Sequence, residues 1–327
     1  MILFVLSFLF CALLTRYCLV LFKEKNIVDR PSHRRVHAKV TPRGGGVAIV
    51  ITFILGFLLI DGTDIYLRLI PMLLIVAGVS FVDDLRYVSV PIRFVTHVMA
   101  AALAVYGFLW PNCLFHHELP AYLDYAVAVL CFAGFMNIYN FLDGIDGITA
   151  AESIHLSVTI LLLCFFAGDV IPEAKMINII ATSILACSSS FLLYNWHPAK
   201  IFLGDVGSIA LGFLLGLCLL LIAASSAKLF VSCIIASLYY VADGGMTILI
   251  RLTKREKIWL PHLNHFFQQA VRKGMSHRMV VCKIAACNLC LMILSLTALY
   301  YPIISLMLAI VTVTCLLIHF ATSHLKH

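Results

Sequence analysis

Five aspartates lie in short, glycine-containing segments of a chain that is otherwise strongly apolar: Asp83, Asp84, Asp143, Asp146 and Asp205. Only 12% of the 327 residues are charged, whereas 62% are hydrophobic. Carboxylates at the ends of membrane helices are costly unless a cation, a polar partner or water compensates them. The pattern therefore indicates a metal site that handles an anionic substrate.

Asp83 and Asp84 are adjacent and are followed by Arg86 and Arg93. Adjacent carboxylates repel each other, so both stay ionised only near a cation. Mg²⁺, which prefers oxygen ligands and substrate phosphates, meets that need. A solvated pair of acids at a helix end is the alternative interpretation.

A second segment runs from Asn140 to Gly147. Within it Asn140, Asp143 and Asp146 recur at every third residue, so they would share one face of a helical turn. The glycines Gly144 and Gly147 would allow the backbone to come close to a ligand. The segment lacks the spacing and the closing glutamate of a calcium-binding EF-hand loop.

Asp205 stands between Gly204 and Gly207, at the start of a predicted helix. The helix dipole favours a carboxylate at this end, and a helix N-cap is one interpretation of this residue. The other interpretation is a metal ligand directed at a diphosphate.

Two cations, Lys39 and Arg43, precede the triple glycine 44–46. Such a segment is suited to phosphates, through its charges and through close backbone approach. It is not a Walker loop, because no Gly-Lys-Ser/Thr follows the glycines. A basic segment that binds lipid headgroups is the alternative.

His262 and His265 lie three residues apart in the last large polar loop. Zinc would need a third ligand of the usual type, which the neighbouring sequence does not offer. A hydrogen bond to a substrate phosphate or sugar is favoured for these histidines.

Apolar stretches of roughly 16 to 22 residues recur along the whole chain, each long enough to cross a bilayer. The sequence predicts an all-α polytopic membrane protein that forms a single integral-membrane domain, 1-327. We predict about eleven transmembrane helices, near 1-22, 44-60, 66-82, 92-110, 121-140, 152-168, 175-194, 207-224, 229-250, 280-300 and 302-321.

The distribution of basic residues predicts the orientation. The first span has no cleavage site and is followed by lysines, which indicates an anchor with the N-terminus outside. Of the 23 Lys and Arg residues, 19 fall in the segments 23–43, 83–93, 195–206, 251–283 and 322–327, which places these segments and the C-terminus inside. Every acidic motif, and hence every catalytic loop, is then on the cytoplasmic face.

Several function classes are disfavoured by the same distribution. The net charge of +7 comes from residues beside membrane spans, without a nucleic-acid-binding motif, so membrane lipids and not nucleic acid are the expected partners. The twelve cysteines lie mostly inside apolar spans and predict neither a disulfide framework nor a metal site. The outer connections have no convergent polar residues, which argues against a transport path.

Taken together, the segments resemble the polyprenyl-phosphate N-acetylhexosamine-1-phosphate transferases. This family, glycosyltransferase family 4, contains undecaprenyl-phosphate GlcNAc-1-phosphate transferases, O-antigen and teichoic-acid initiating enzymes and the more distant phospho-MurNAc-pentapeptide transferases. The motifs occur in family order: Thr41 to Gly46, Asp83-Asp84, Asn140 to Gly147, Asn195 to Ser208, Asp243 with Arg251, and His262 with His265 and Gln268.

The resemblance implies a Mg²⁺-dependent phosphotransferase, with Mn²⁺ as a substitute for Mg²⁺. Such an enzyme transfers a HexNAc 1-phosphate from a UDP-activated N-acetylhexosamine to undecaprenyl phosphate and releases UMP. It acts at the bacterial inner (cytoplasmic) membrane, as the initiating step of a cell-envelope polysaccharide such as O-antigen, within lipopolysaccharide biosynthesis or cell wall biogenesis. The sugar, the pathway and the choice between a monomer and a homodimer stay open.

By the same resemblance, the metal ligands are Asp205 and Asn140, and the catalytic residues are Asp83, Asp84 and Asp143. The substrate-binding residues are Lys39, Arg43, Asp146, Asn195, His262 and His265, with Asn195 by the uridine and the histidine loop at the sugar.

Phosphoryl transfer depends on positioning and charge neutralisation more than on covalent help, which agrees with this residue set. We expect a direct displacement in which Asp83 takes any proton from the lipid phosphate; a two-step route through an aspartyl phosphate is the alternative.

The sequence disfavours two other activities. A CDP-alcohol phosphotransferase would need an Asp-Gly-x-x-Ala-Arg element, but Asp143-Gly144 is followed by Ile145, Asp146 and Gly147. A membrane anion carrier would need paired half-helices or inverted repeats, and the sequence has neither.

Overall fold

The computed structural model describes residues 1–29, 40–59, 64–110, 112–116, 118–257, 259–260 and 262–323. It confirms the predicted fold class, an all-α polytopic membrane protein. The helices are α1 (Ile2–Glu24), α2 (Gly46–Leu58), α3 (Asp64–Leu85), α4 (Val90–Ala104), α5 (Ala121–Phe141), α6 (Ile148–Ala167), α7 (Ala174–Asn195), α8 (Asp205–Ala223), α9 (Ala227–Ala236), α10 (Leu238–Thr253), α11 (Phe266–Arg272), α12 (His277–Thr297) and α13 (Pro302–Thr322).

Four short elements accompany the helices in the described residues. A π-helical segment, Val105–Leu109, extends α4, and a 3₁₀ turn, Gly168–Val170, extends α6. The strands β1 (Val28–Asp29) and β2 (Thr41–Pro42) pair antiparallel.

Eight of the described helices are long and apolar enough to cross a membrane: α1, α4, α5, α6, α7, α8, α12 and α13, with α4 and α6 counted with their extensions. The predicted span 229-250 is broken into α9 and α10, which meet at an angle of 70°, and the two together would be a ninth span. In place of the predicted span 44-60, α2 has 13 residues, fewer than a bilayer crossing needs. The count of eleven and the orientation therefore remain predictions.

Helix α8 is the centre of the bundle. All of its residues from Val206 to Ala223 are buried, among α2, α3, α5 and α9. A Cβ added at Gly216 would lie 2.6 Å from the Phe132 ring, and one at Gly212 would lie 3.0 Å from Cβ of Tyr139. Small residues let membrane helices approach this closely. The apolar sequence and its glycines thus hold the N-terminus of α8, and Asp205 with it, in the middle of one end of the bundle.

The triple glycine serves the same packing. The backbone N–H groups of Gly45 and Gly46 donate to the carbonyls of Phe202 and Leu203, over 2.9 and 2.8 Å. A Cβ on Gly46 would lie 2.2 Å from Cα of Gly207. The close approach that the sequence predicted for a ligand is therefore made between α2 and α8. This use of the glycines corrects the expectation.

Helix α11 is attached to α10 through a buried carboxylate. Asp243 accepts hydrogen bonds from the backbone N–H groups of Phe266, over 3.0 Å, and Phe267, over 3.2 Å, and lies 3.2 Å from Nδ1 of His265. It thereby compensates the unpaired N–H groups at the start of α11. The loop before α11 is fixed to the bundle by this contact.

Candidate active site

The N-terminus of α8 is capped by a residue from another helix. Asp84, in the last turn of α3, accepts hydrogen bonds from the backbone N–H groups of Asp205, over 3.0 Å, and Val206, over 3.1 Å. Gly204 precedes them with a φ of +77°, and a Cβ there would lie 2.5 Å from Oδ2 of Asp84. Only glycine fits this position. The interaction places two of the predicted acids, Asp84 and Asp205, side by side.

Two arginines face these acids. Nη2 of Arg43 lies 2.6 Å from Oδ1 of Asp205 and 2.9 Å from Oδ1 of Asp84. Nη1 of Arg93 lies 2.6 Å from Oδ2 of Asp83 and 3.5 Å from Oδ2 of Asp205. Asp205 therefore stands between two guanidinium groups. Arg93 was absent from the predicted site residues, although its position just after the aspartate pair was a usable signal.

A cavity of about 200 Å³, here called the polar cavity, opens beside Asp205. It is lined by Arg43, Asn140, Asp143 and Asp205 among others. Oγ of Ser208 donates to Oδ1 of Asn140 over 2.6 Å, which ties the end of α5 to the first turn of α8. Because α5 ends at Phe141, the later acids lie in a turn and not on one helical face, contrary to the predicted arrangement.

The carboxylates are incompletely compensated by the protein. Burial raises the pKa of Asp143 to about 7; the carboxylates of Asp205 and Asp84 add to the rise, and Thr149 and Arg43 oppose it. Burial likewise raises the pKa of Asp84, at the end of α3, to about 6, although Arg43 acts against the shift. Both acids are held in surroundings that disfavour their charge.

The donor set suits a hard divalent cation. Among the residues that the structure describes, the four carboxylates of Asp83, Asp84, Asp143 and Asp205 face the two guanidinium groups of Arg43 and Arg93, and Asn140 adds a neutral oxygen. All these donors are oxygen atoms, which Mg²⁺ and Mn²⁺ prefer. The excess of negative charge and the raised pKa values both fit the addition of one cation.

A second cluster of polar side chains surrounds Asp146, the one member of the cluster that the sequence predicted as a site residue. Its Oδ2 lies 2.6 Å from Nδ1 of His197 and 3.3 Å from Nδ1 of His277, and accepts from the backbone N–H of Ala199 over 3.2 Å. Burial would raise the pKa of this carboxyl, but the hydrogen bonds from His277 and His197 outweigh it and lower the pKa. The three side chains are close enough to hold a metal ion, yet two nitrogen donors do not suit Mg²⁺.

Asp146 therefore joins three segments: its own turn, the loop after α7 and the start of α12. Asn195 has a similar position, since its Oδ1 accepts from the N–H of Gly147 and its Nδ2 donates to the carbonyl of Ile201, each over 2.9 Å. Both residues line the polar cavity, but their side chains are already bonded within the protein. The sequence could not reveal His197 and His277, because isolated histidines in separate segments form no spacing pattern.

Replacement of His277 by alanine is expected to lower the free energy of unfolding by about 1–2 kcal/mol, since its Nδ1, which accepts from the backbone N–H of Asp146 and lies 3.3 Å from Oδ2 of Asp146, is lost. Thermal unfolding of the purified protein in detergent measures this loss. The exposed His319 on α13 supplies the control, as its replacement by alanine removes no described hydrogen bond of the side chain. Equal midpoints for the two variants would contradict the joining role of His277.

His262 and His265, the histidines of the predicted histidine loop, do not line the polar cavity. His265 is buried as the N-cap of α11, and its ring lies 4.9 Å from that of His262. The residues of this loop that line the polar cavity are Leu263 and Gln268. Lys39 lies outside the described residues.

A second cavity, of about 290 Å³ and here called the apolar groove, lies on the other side of Asp205. Its polar residues include Arg93, and its outer wall includes Phe94 and Phe141, which are 52% and 41% exposed. Asn140 and Asp205 line both the apolar groove and the polar cavity. A polar site and an apolar surface thus meet at these two side chains.

Comparison with known proteins identifies the family. Residues 66–225 match the model of glycosyl transferase family 4. The chain is 32% identical over 267 residues to a probable undecaprenyl-phosphate N-acetylglucosaminyl 1-phosphate transferase of Bacillus subtilis. This alignment covers 78% of this chain and 72% of that protein. The chain belongs to glycosyl transferase family 4.

Other members of the family are more distant. Phospho-N-acetylmuramoyl-pentapeptide-transferases of Chlamydia caviae and Chlamydia trachomatis are each 30% identical to this chain, over 187 and 168 residues. These alignments cover 56% and 51% of this chain and 51% and 48% of those proteins. The chain thus spans about half the length of these pentapeptide transferases. The part that matches the family model contains the acids from Asp83 to Asp205, but not Arg43 or the histidine loop.

Proposed function

We propose that this member of glycosyl transferase family 4 transfers a HexNAc 1-phosphate from a UDP-activated N-acetylhexosamine to undecaprenyl phosphate and releases UMP. The observation that carries the proposal is the meeting of the polar cavity and the apolar groove at Asn140 and Asp205. A reaction between a water-soluble nucleotide sugar and a lipid phosphate needs such a junction. The relatives named above support the same pair of substrate classes.

Each arginine serves one substrate in this proposal. Arg43 lines the polar cavity and binds the diphosphate of the nucleotide sugar, while Arg93 lines the apolar groove and binds the phosphate of the lipid. Asp205 interacts with both arginines and sets the distance between the two phosphates. The protein thereby supplies the positioning that phosphoryl transfer requires.

The bond changes are those of a direct displacement. An ionised oxygen of the lipid phosphate forms a bond to the β-phosphorus of the nucleotide sugar. The bond from this phosphorus to the bridging oxygen breaks, and its electron pair leaves with that oxygen as part of UMP. A phosphate monoester has a second pKa near 6, so the attacking oxygen is largely ionised at neutral pH without a base.

The sequence predicted that Asp83 accepts a proton from the lipid phosphate. The proposal gives Asp83 a different role. Its Oδ1 accepts from the backbone N–H of Val88 over 2.7 Å, and its Oδ2 accepts from Arg93. With both oxygens engaged, its role is to orient Arg93. Asp84 in turn holds the start of α8 in place.

Asp205 and Asn140 would hold a Mg²⁺ ion, or Mn²⁺ in its place. When bound, the cation neutralises charge on the phosphate of the departing UMP. We propose further that the reaction initiates a cell-envelope polysaccharide at the bacterial cytoplasmic membrane. The acidic motifs then face the cytoplasm, as the distribution of Lys and Arg predicts.

The test is an assay of the purified protein with undecaprenyl phosphate and a panel of UDP-sugars. UMP release that requires the lipid phosphate, the divalent cation and one UDP-N-acetylhexosamine is the expected result. Uptake of an anion into proteoliposomes without UMP release would instead identify a carrier. Activity with a CDP-alcohol in place of the UDP-sugars would likewise overturn the proposal.

Cation binding is expected to release protons near neutral pH. With a pKa raised to about 7, Asp143 is about half protonated at pH 7, and a nearby cation favours its ionised form. Calorimetric titration with Mg²⁺ in two buffers of different ionisation enthalpy measures the release, up to about half a proton per cation.

Asp143→Asn should remove this proton release. Asp169→Asn is the matched control, because it makes the same change of charge at an exposed position outside the polar cavity. Proton release that persists in Asp143→Asn, or that disappears in Asp169→Asn, would contradict the assignment.

A further inference from the structure

A third cavity, of about 430 Å³, lies apart from the polar cavity and the apolar groove. It opens between the end of α10 and α11 and is here called the basic cleft. Four of its lining residues are cations and one is an acid: Thr247, Ile250, Arg251, Lys254, Glu256, Asn264, Gln269, Arg272 and Lys273. The proposed reaction makes no use of this cleft.

Two of the four cations are engaged within the protein. The guanidinium of Arg251 donates to Glu256 over 2.9 Å and to the carbonyls of Lys257 and Leu260 over 2.8 and 3.2 Å. Lys273 donates to the carbonyl of Ala321, at the end of α13. Arg251 and Lys273 thus form the walls of the basic cleft, and the acid of the cleft is neutralised by Arg251.

The other two cations, Lys254 and Arg272, are exposed. Neither makes a hydrogen bond or an ion pair with its side chain among the residues that the structure describes. The four cations that line the cleft outnumber its one acid, Glu256, whose charge is shared by Arg251 and Lys254, and this excess of positive charge favours an anion. The guanidinium of Arg272 suits a phosphate in particular, because its N–H groups match the phosphate oxygens.

The position of the basic cleft points to the anion of a lipid. On α10 the side chains of Met246, Leu249 and Leu252 are 45%, 57% and 51% exposed, as expected for a face that contacts lipid tails. This apolar face ends at Thr253, directly before Lys254. Basic pockets at the inner ends of membrane helices are suited to phospholipid headgroups.

We propose that the basic cleft binds the phosphate headgroup of an anionic phospholipid, through Lys254 and Arg272. The acyl chains then lie along the exposed apolar face of α10. The polar side chains of Asn264 and Gln269 border the headgroup, and Nε2 of Gln269 already donates to the carbonyl of Asn264 over 2.8 Å.

The headgroup would also influence the active site, because one segment, the end of the loop before α11 with the first turn of α11, lines both places. Asn264 and Gln269 line the basic cleft, whereas their chain neighbours Leu263 and Gln268 line the polar cavity. Binding of a lipid on one side restrains this segment on the other side. Anionic lipid is therefore expected to stabilise the protein and to raise its turnover, and this last effect rests on the proposed function.

Binding is tested with the full chain in detergent, by native mass spectrometry with phosphatidylglycerol and with phosphatidylcholine. The cleft variant carries Lys254→Gln and Arg272→Gln. The control variant carries Lys175→Gln and Lys228→Gln, which make the same change of charge at exposed positions outside the basic cleft. Wild type and control are expected to prefer phosphatidylglycerol, and the cleft variant to bind it about thirtyfold more weakly.

Equal binding of the two lipids by wild type, or an equal loss in both variants, would overturn the proposal. Binding of inorganic phosphate is measured as well, to distinguish a site for a lipid headgroup from a site for a soluble anion. If wild type binds inorganic phosphate more tightly than the cleft variant does but shows no preference for phosphatidylglycerol over phosphatidylcholine, the cleft takes a soluble anion and the lipid assignment fails. These binding measurements hold whether or not the protein releases UMP, so failure of the proposed function is recognised separately.

Discussion

Asp205→Asn is expected to lower the rate of UMP release by about two to three orders of magnitude while the protein stays folded. Asp205 is the only acid among the described residues that contacts both Arg43 and Arg93, and it lines both the polar cavity and the apolar groove. An asparagine of the same size keeps the backbone N–H that Asp84 caps, so the start of α8 is preserved. What is lost is the negative charge between the two arginines and the proposed ligand of the cation.

The measurement is UMP release under saturating substrates, together with thermal unfolding in detergent. Asp169→Asn is the matched control, since this exposed residue in the 3₁₀ turn after α6 undergoes the same change of charge. Wild-type turnover in Asp205→Asn would refute the role of Asp205. A large drop in its unfolding midpoint would instead assign the residue to folding.

Gly46→Ala is expected to have the second large effect, through packing and not through charge. The added Cβ would lie 2.2 Å from Cα of Gly207, a backbone atom that cannot move without a shift of α8 against α2. Overpacking of this kind costs about 1–3 kcal/mol. Because Arg43 precedes α2 and Asp205 begins α8, the shift would also separate this ion pair and reduce turnover.

The control is Gly56→Ala, in the same helix. A Cβ at Gly56 meets no atom within 4 Å, and alanine is favoured over glycine in a helix by roughly 0.5–1 kcal/mol. The unfolding midpoint should therefore fall for Gly46→Ala and stay constant or rise for Gly56→Ala. Similar midpoints and rates for the two variants would show that α2 and α8 tolerate a wider separation.

Both predictions depend on contacts that cross long distances in the chain. Asp84 and the backbone of Asp205 are 121 residues apart, and Arg43 and Asp205 are 162 residues apart. The ion pairs exist because α8 is buried among α2, α3 and α5, which brings their ends to one place. The same packing places more carboxylates than guanidinium groups in the described part of the site, which is the physical basis for the proposed cation.

The sequence alone determined the fold class and the family. Hydropathy predicted the helices, because a backbone in lipid must satisfy its own hydrogen bonds and an apolar stretch has few other conformations. The order of the motifs indicated glycosyl transferase family 4, and Asp205, Asn140, Asp143 and Arg43 do line one cavity. These inferences succeed because hydropathy and motif order are properties of the chain itself.

Only the tertiary structure decided how several polar residues are used. It assigns Asp84 to the cap of α8, His265 to the cap of α11 and Gly46 to a helix contact, where the sequence predicted substrate or metal contacts. It also joins His197 and His277 to Asp146 and breaks the span 229-250 into two helices. The spacing of residues reports local periodicity, whereas the partner of a buried polar group depends on which helices pack together. For that reason the residue types predicted the kind of chemistry, whereas the role of each polar residue depended on the packing of the helices.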